Sequence, residues 1–100
     1  MPIEKITESE FRRAEGEKAI VEFYSPDCVH CKVLAGTLEE LAAENPTIPL
    51  YKVDVSEEGS LAARFGIRSV PTLIRLENGK IREKKVGAVG KKELLSLLLS

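Results

Sequence analysis

Two cysteines, Cys28 and Cys31, stand between a strand-like segment and a helix-like segment, and this arrangement constrains the fold more than any other feature of the chain. Residues 19–24, AIVEFY, are rich in β-branched and aromatic side chains and too few for a useful helix, which predicts a largely buried strand. After Cys31, leucines recur at spacings of three and four up to Asn45-Pro46, which predicts an amphipathic helix. The chain therefore runs from a strand, through the cysteine pair, directly into a helix.

Two further patterns lie on either side of this unit. Thr7 followed by Glu10 is a capping-box signature, which predicts a short helix that ends near Gly16. Residues 50–55, LYKVDV, predict the next strand, and a helical pattern follows it and stops at Gly66. Strands and helices therefore alternate along this part of the chain.

The pattern changes toward the carboxyl terminus. Residues 72–86 contain two alternating runs joined by Asn78-Gly79, the strongest short-range signal for a tight hairpin. Leucines cluster at residues 94–99 and predict a closing helix. Parallel strands joined by crossover helices, followed by an antiparallel hairpin, predict an α/β fold with a central mixed β-sheet and helices on both faces.

Length and composition indicate a single domain over residues 1–100. The chain is 43% hydrophobic and 31% charged, which is typical of a globular protein. The formal net charge is −1 with acids and bases interspersed, so neither nucleic acid nor a membrane surface is an expected partner.

The amino-terminal MPIEKITESEF lacks the apolar core of a secretion signal, and the LLSLLL run at residues 94–99 is too short to cross a bilayer. We expect a cytoplasmic protein and a monomer.

A cysteine pair with this spacing can serve as a permanent disulfide, as part of a metal site or as a reversible redox couple. A bridge that closes so short a loop removes little entropy from the unfolded chain, which disfavours the first use. A structural zinc site needs four ligands, and Cys28, Cys31 and His30 supply at most three, so we expect no metal and no cofactor. A CxxC pair beside a strand–helix–strand pattern is typical of thiol redox chemistry, which is the interpretation favoured here.

The two sulfurs are predicted to be inequivalent. Ser25 or Asp27 at the helix start would place Cys28 in the first turn and Cys31 one turn further along the same face, within disulfide distance. Free backbone N–H groups and the helix dipole favour a thiolate at Cys28, whereas Cys31 points back under the turn. Cys28 should attack and Cys31 should resolve, with Asp27 as the expected helix cap.

Two other patterns point to the same region. Glu22 interrupts an apolar strand where a carboxylate is hard to bury, which suggests a function, although a salt-bridged or solvated carboxylate is an equal alternative. Ser69-Val70-Pro71 precedes a strand, where a proline is a candidate for a cis peptide bond or a simple strand-edge residue. A cis bond would expose the backbone edge of Val70 to an extended substrate segment.

Three separated motifs together resemble the thioredoxin family in order and spacing: AIVEFYSPDCVHCK, YKVDV and FGIRSVPTLIRLENGKIREKKVGA. The resemblance covers nearly the whole chain and implies the thioredoxin fold, protein disulfide substrates, and a thioredoxin reductase or similar electron donor. It implies Cys28 as nucleophile, Cys31 as resolving thiol, and Glu22 as the acid that exchanges protons with Cys31, with Lys52 nearby. A plain surface lysine is the alternative for Lys52. The implied substrate-facing residues are Tyr24, Val29, Ser69, Val70, Pro71 and Gly87.

The residues around the cysteines depart from the thioredoxin pattern. The chain has no tryptophan, and Tyr24 and Asp27 replace the family's tryptophans at the motif, so the aromatic platform beside Cys28 differs from that of the family. Val29-His30 replaces the usual Gly-Pro, and FYSPDCVHCK is similar to the disulfide-isomerase pattern. Gly36 stands where thioredoxins carry the kink proline of the central helix.

His30 is the strongest indication of the redox potential. An imidazolium beside a thiolate stabilises the reduced form, so we expect a potential between about −270 mV, typical of thioredoxin, and about −180 mV, typical of disulfide isomerase. The charge of Asp27 acts in the opposite direction.

Taken together, the cysteine pair and the resemblance predict a thiol–disulfide oxidoreductase that reduces protein disulfides through Cys28 and Cys31. The alternatives are oxidation or isomerisation by the same pair, and a non-catalytic redox-sensing or scaffold domain.

Overall fold

The computed structural model describes residues 3–16 and 18–99. The strands in these residues are β1 (Glu4–Lys5), β2 (Ala19–Tyr24), β3 (Leu50–Asp54), β4 (Thr72–Glu77) and β5 (Lys80–Val86). The helices are a 3₁₀ helix (Glu8–Ala14), α1 (Val29–Glu44), α2 (Gly59–Arg64) and α3 (Lys91–Leu99). Within this part of the chain, no helix is long and apolar enough to span a bilayer.

The strands form one mixed sheet in the order β1-β3-β2-β4-β5. The pairs β1–β3 and β3–β2 are parallel, whereas β4 runs antiparallel to both β2 and β5. Parallel neighbours need crossover connections, and α1 provides the one between β2 and β3. The predicted mixed sheet with a terminal antiparallel hairpin is confirmed, and β2 lies at its centre.

Alternation along the central strands divides the core into two layers. Val21 and Phe23 pack with Phe11 of the 3₁₀ helix and Leu61 of α2 on one face of the sheet. Ile20 packs on the other face, together with residues of α1 and α3: Leu34, Leu38, Leu41, Leu94, Leu97 and Leu98. Helices therefore cover both faces, as the sequence pattern predicts.

The local turn and capping signals predicted from the sequence are present. The Thr7 backbone N–H donates a hydrogen bond of 2.9 Å to the Glu10 carboxylate at the start of the 3₁₀ helix. Asn78 and Gly79 both adopt positive φ, 55° and 79°, as a tight hairpin with the right-handed twist of its strands requires. Both the capping box and the hairpin are confirmed.

Three local details differ from expectation. β1 was not predicted, because two residues without an apolar alternation give no strand signal, and pairing with β3 is what makes them a strand. The strand predicted to end at residue 55 ends at Asp54. The expected cap at Asp27 is wrong, because a turn closed by the Cys28 N–H and the Ser25 carbonyl makes Cys28 itself the N-cap of α1.

Candidate active site

Cys28 and Cys31 are joined by a disulfide bond at the start of α1, with their Cα atoms 5.2 Å apart. Cys28 has an extended backbone conformation, and its Sγ accepts a hydrogen bond of 3.1 Å from the Cys31 N–H. This is the capping contact that a serine or aspartate oxygen usually makes. The sulfur of Cys28 therefore lies where the helix presents its unpaired N–H groups.

The two cysteines differ in exposure. Cys31 is 5% exposed, whereas Cys28 is half-buried at the rim of the site. No acidic residue lies in the first turn of α1, so nothing within that turn opposes the positive end of the helix dipole. In the reduced protein this environment favours a thiolate at Cys28 and leaves Cys31 shielded behind it.

The residues flanking the pair are exposed. Val29 is 70% exposed and His30 is also exposed, so both can contact a docked protein. Asp27 is exposed as well, and its backbone N–H lies 3.4 Å from the Ser25 hydroxyl oxygen, to which it donates. Gly36 does not interrupt α1, which is continuous from residue 29 to residue 44.

A loop before β4 approaches the cysteines from the other side. The Val70–Pro71 bond is cis, and the Val70 carbonyl oxygen lies 3.7 Å from Cys28 Sγ. The buried Thr72 hydroxyl donates a hydrogen bond of 2.7 Å to the Ser69 carbonyl. The Gly87 N–H donates a hydrogen bond of 2.8 Å to the Pro71 carbonyl, with Gly87 at φ 94°. These bonds hold the loop beside Cys28. The backbone N–H of Gly87 is already bonded to the Pro71 carbonyl and so stabilises the loop.

A small cavity lies behind Cys31. It has a volume of about 150 Å³ and is bordered by Glu22, Tyr24, Cys31, Lys32 and Lys52, among others. Glu22 is 6% exposed, and its burial raises the pKa of the carboxyl group from 4.5 to about 7, against the lowering effect of the Lys52 charge. A carboxyl group with this pKa can take up and release a proton near neutral pH.

β3 brings Lys52 to the same cavity. Lys52 is paired in register with Glu22 across β2 and β3, and its Nζ lies 5.6 Å from the centroid of the Tyr24 ring. Burial is the main cause that raises the pKa of the Tyr24 hydroxyl above 10.0, so this group is protonated at neutral pH. The fold thus brings Glu22, Lys52 and Tyr24 together on the Cys31 side, and Ser69, Val70, Pro71 and Gly87 on the Cys28 side.

Two buried polar residues beside the site, Thr72 and Asp54, were not among the predicted site residues. Thr72 is 1% exposed and ties the proline loop, and Asp54 is 3% exposed and accepts hydrogen bonds from the backbone and hydroxyl of Ser56. The available signal was the position of each polar residue at one limit of a strand, with Thr72 at the start of β4 and Asp54 at the end of β3. Among the described residues, no group of three or more His, Cys, Asp and Glu side chains is placed to hold a metal ion.

A strand, a cysteine pair at a helix start and a cis-proline loop against the outer sulfur define the class of thiol–disulfide oxidoreductases with a thioredoxin-like fold. The thioredoxin family model matches residues 2–100 of this chain. The chain belongs to the thioredoxin family, and it is a protein-disulfide oxidoreductase that works through Cys28 and Cys31.

Individual relatives agree with this assignment. Thioredoxin from Staphylococcus aureus is 37% identical to the chain over 100 residues, which cover 98% of this chain and 96% of that one. Thioredoxin from Bacillus subtilis strain 168 is 35% identical, with the same coverage. Mitochondrial thioredoxin 3 of Saccharomyces cerevisiae in its oxidised form has a TM-score of 0.87 at 27% identity, covering 96% of this chain and 92% of that one. A mutant thioredoxin from Halobacterium salinarum NRC-1 has a TM-score of 0.87 at 28% identity, covering 97% and 88%.

Proposed function

We propose that the protein reduces disulfide bonds of other proteins, with Cys28 as the attacking thiolate and Cys31 as the resolving thiol. The observation that carries this assignment is the asymmetry of the pair. Cys28 is half-buried at the rim and caps α1, whereas Cys31 is 5% exposed behind it. A substrate disulfide can reach only the first sulfur, and the helix N-terminus favours its ionised form.

The reaction consists of two exchanges. The Cys28 thiolate attacks one sulfur of the substrate disulfide, a Cys28–substrate bond forms, and the other substrate sulfur leaves as a thiolate. The Cys31 thiol then loses its proton and attacks Cys28 Sγ, which releases the second substrate sulfur and closes the Cys28–Cys31 bond. The substrate gains two electrons, and a reductase of the thioredoxin-reductase kind returns two electrons to the pair.

Glu22 accepts the proton that Cys31 loses in the second exchange. Its carboxyl group borders the same cavity as Cys31, and burial gives it a pKa of about 7. A base of this strength is half ionised near neutral pH, so it can take the proton and later release it. Lys52 favours the ionised form of Glu22 and thus keeps the base available.

The substrate lies along the loop that contacts Cys28. The backbone of Ser69 and Val70 presents an edge for an extended segment, and Pro71 and Gly87 shape that surface. Val29 and Tyr24 add apolar and aromatic contacts on either side of the cysteine pair. Backbone recognition of this kind suits many client proteins, because it does not read a particular side chain.

We further propose that the protein acts as a single-domain monomer in the cytoplasm. A reversible cysteine pair suits the cytosol, where thiols are kept reduced and permanent disulfides are rare, which supports the location. The edge strand β5 carries Lys80, Arg82 and Lys84 in exposed positions, which disfavours edge-to-edge pairing of two copies. Light scattering after size-exclusion chromatography would give the oligomeric state directly.

The test of the main assignment is a pair of cysteine variants incubated with insulin as a disulfide substrate. Cys31→Ser should accumulate a mixed disulfide between Cys28 and the substrate, because the resolving thiol is absent. Cys28→Ser is the matched control and should form none. Mixed disulfides that form equally with both variants, or with neither, would contradict the assigned roles.

A second function, protein disulfide oxidation or isomerisation, is supported by His30. This side chain lies in the first turn of α1, two residues after Cys28, where an imidazolium would stabilise the thiolate and so favour reduction of the pair's own disulfide. The equilibrium potential of the pair against glutathione distinguishes the two functions. A value near about −270 mV supports reduction, and one near about −180 mV supports oxidation or isomerisation.

A further inference from the structure

Tyr24 and Glu22 lie two residues apart on β2, so their side chains share one face of the sheet. Lys52 is opposite Glu22 on β3, and all three side chains border the cavity behind Cys31. The Lys52 Nζ is 5.6 Å from the centroid of the Tyr24 ring, within the range of a cation–π contact. The lysine ammonium therefore contacts the tyrosine ring, and it acts on the Glu22 carboxyl group through its charge.

We propose that Tyr24 is a positioning residue, whose ring holds the Lys52 ammonium at the cavity and so keeps Glu22 available as proton acceptor for Cys31. The proposal rests on the function assigned to Glu22 above. It gives Tyr24 a role beyond the substrate contact that the sequence implies, and that role belongs to the ring face rather than to the hydroxyl group.

The surroundings explain why Lys52 needs to be held. Lys52 lowers the pKa of Glu22 through its charge and not through a hydrogen bond. Because a charge–charge interaction weakens with distance, the size of this lowering depends on where the Lys52 ammonium lies. Other charged groups face the same region: Lys5 on β1, Asp54 at the end of β3, Glu57 after β3 and Lys32 on α1. On the β4 side, Glu22 faces the uncharged Leu73.

The two acids among these groups, Asp54 and Glu57, offer the Lys52 ammonium other positions. Lys5, the register neighbour of Lys52 on β1, carries the same charge and repels it, and Lys5 is itself 2.6 Å from the Glu57 carboxylate. Asp54 is held by Ser56, but its negative charge still lies near the Tyr24 hydroxyl. Without the ring, the flexible lysine can turn toward these acids or toward solvent, and its effect on Glu22 weakens.

The hydroxyl group of Tyr24 is not needed for this role. Its pKa is raised above 10.0, chiefly by burial, so the hydroxyl is protonated at neutral pH and adds no charge to the cavity. Tyr24→Phe therefore preserves the ring and is the matched control. Tyr24→Leu and Tyr24→Met both remove the ring while keeping an apolar side chain, so a folding defect in one still leaves the other for measurement.

The test is an NMR titration of the Glu22 carboxyl carbon in the oxidised protein, where the cysteines do not titrate. Tyr24→Leu and Lys52→Met should each increase the proton affinity of Glu22, by about threefold or more, whereas Tyr24→Phe should leave it unchanged. In the Lys52→Met background, Tyr24→Leu should add little, because the charge it positions is gone. An unchanged affinity in Tyr24→Leu, or an equal increase with and without Lys52, would overturn the proposal.

The pH profile of the second exchange separates this proposal from the function assigned to Glu22. If Glu22→Gln leaves the rate of mixed-disulfide resolution unchanged, then Glu22 is not the proton acceptor, whatever the titrations show. If Glu22→Gln slows resolution but Tyr24→Leu does not move its pH midpoint upward, then Tyr24 does not act through Lys52 and the positioning role is refuted.

Discussion

Replacing Glu22 with glutamine removes a buried ionisable group while keeping its shape, and its effect on stability should depend on pH. Burial raises the pKa of Glu22 to about 7 in the folded protein, against 4.5 when it is exposed in the unfolded chain. Between these values the folded protein keeps a proton that the unfolded chain has lost. Stability therefore falls as pH rises from 4.5 toward 7, and the loss levels off above that range.

The size of the effect follows from the two pKa values. A difference of this size corresponds to roughly 3 kcal/mol of lost stability at alkaline pH, of which about 2.5 kcal/mol develops between about pH 5 and about pH 8. Glutamine carries no charge at either pH. Glu22→Gln should therefore gain about 2.5 kcal/mol relative to the unmodified protein over this interval.

Urea unfolding of the oxidised protein at both pH values measures this gain. Glu93→Gln is the matched control, because Glu93 is exposed on α3 and its replacement should show no comparable pH-dependent gain. If the stability difference between Glu22→Gln and the unmodified protein is the same at both pH values, Glu22 has no raised pKa. Its proposed role as proton acceptor near neutral pH then loses its physical basis.

Three further predictions concern the loop, the potential and the core. Thr72→Val should raise KM for a protein disulfide with little change in the rate of Cys28 alkylation, because it removes the hydrogen bond to Ser69 that holds the substrate-binding edge. Thr72→Ser keeps a hydroxyl group and should leave both KM and the alkylation rate unchanged. Equal KM values for the two variants would contradict this prediction. His30→Ala should make the pair more reducing by tens of millivolts (roughly 30 mV per tenfold change in the exchange constant), and an unchanged glutathione equilibrium would show that His30 does not set the potential. Leu38→Ala should cost about 2–5 kcal/mol in urea unfolding because Leu38 is 1% exposed between α1 and the sheet, and Val33→Ala on the exposed side of α1 should cost under about 0.5 kcal/mol.

The main elements of the fold are readable from the sequence because each has a local signal. The apolar run of β2, the leucine spacing of α1 and the turn at Asn78-Gly79 all depend on residues close together in the chain. β1 has no such signal, since only its pairing with β3 makes residues 4–5 a strand. Tertiary pairing of this kind is invisible to a local pattern.

The site was predicted less completely, for a related reason. The spacing of the cysteines predicts that the two sulfurs lie within bonding distance of each other. It does not predict where α1 begins, because the turn from Ser25 to Cys28, and not the capping preference of Asp27, sets that position. The Tyr24–Lys52 contact and the Thr72–Ser69 hydrogen bond join residues whose proximity depends on strand register and loop conformation. Such contacts need the assembled sheet before they can be seen.

The central claim is that the helix N-terminus makes Cys28 an accessible, acidic thiol with Cys31 shielded behind it. The rate of iodoacetamide alkylation of the reduced protein, measured against pH with mass-spectrometric assignment of the modified cysteine, tests this claim directly. Cys28 should react first, with a midpoint below about 8.5, the value of a free cysteine, and Cys31→Ser should retain this behaviour. First modification at Cys31, or a Cys28 that reacts no faster than free cysteine at neutral pH, would contradict the account.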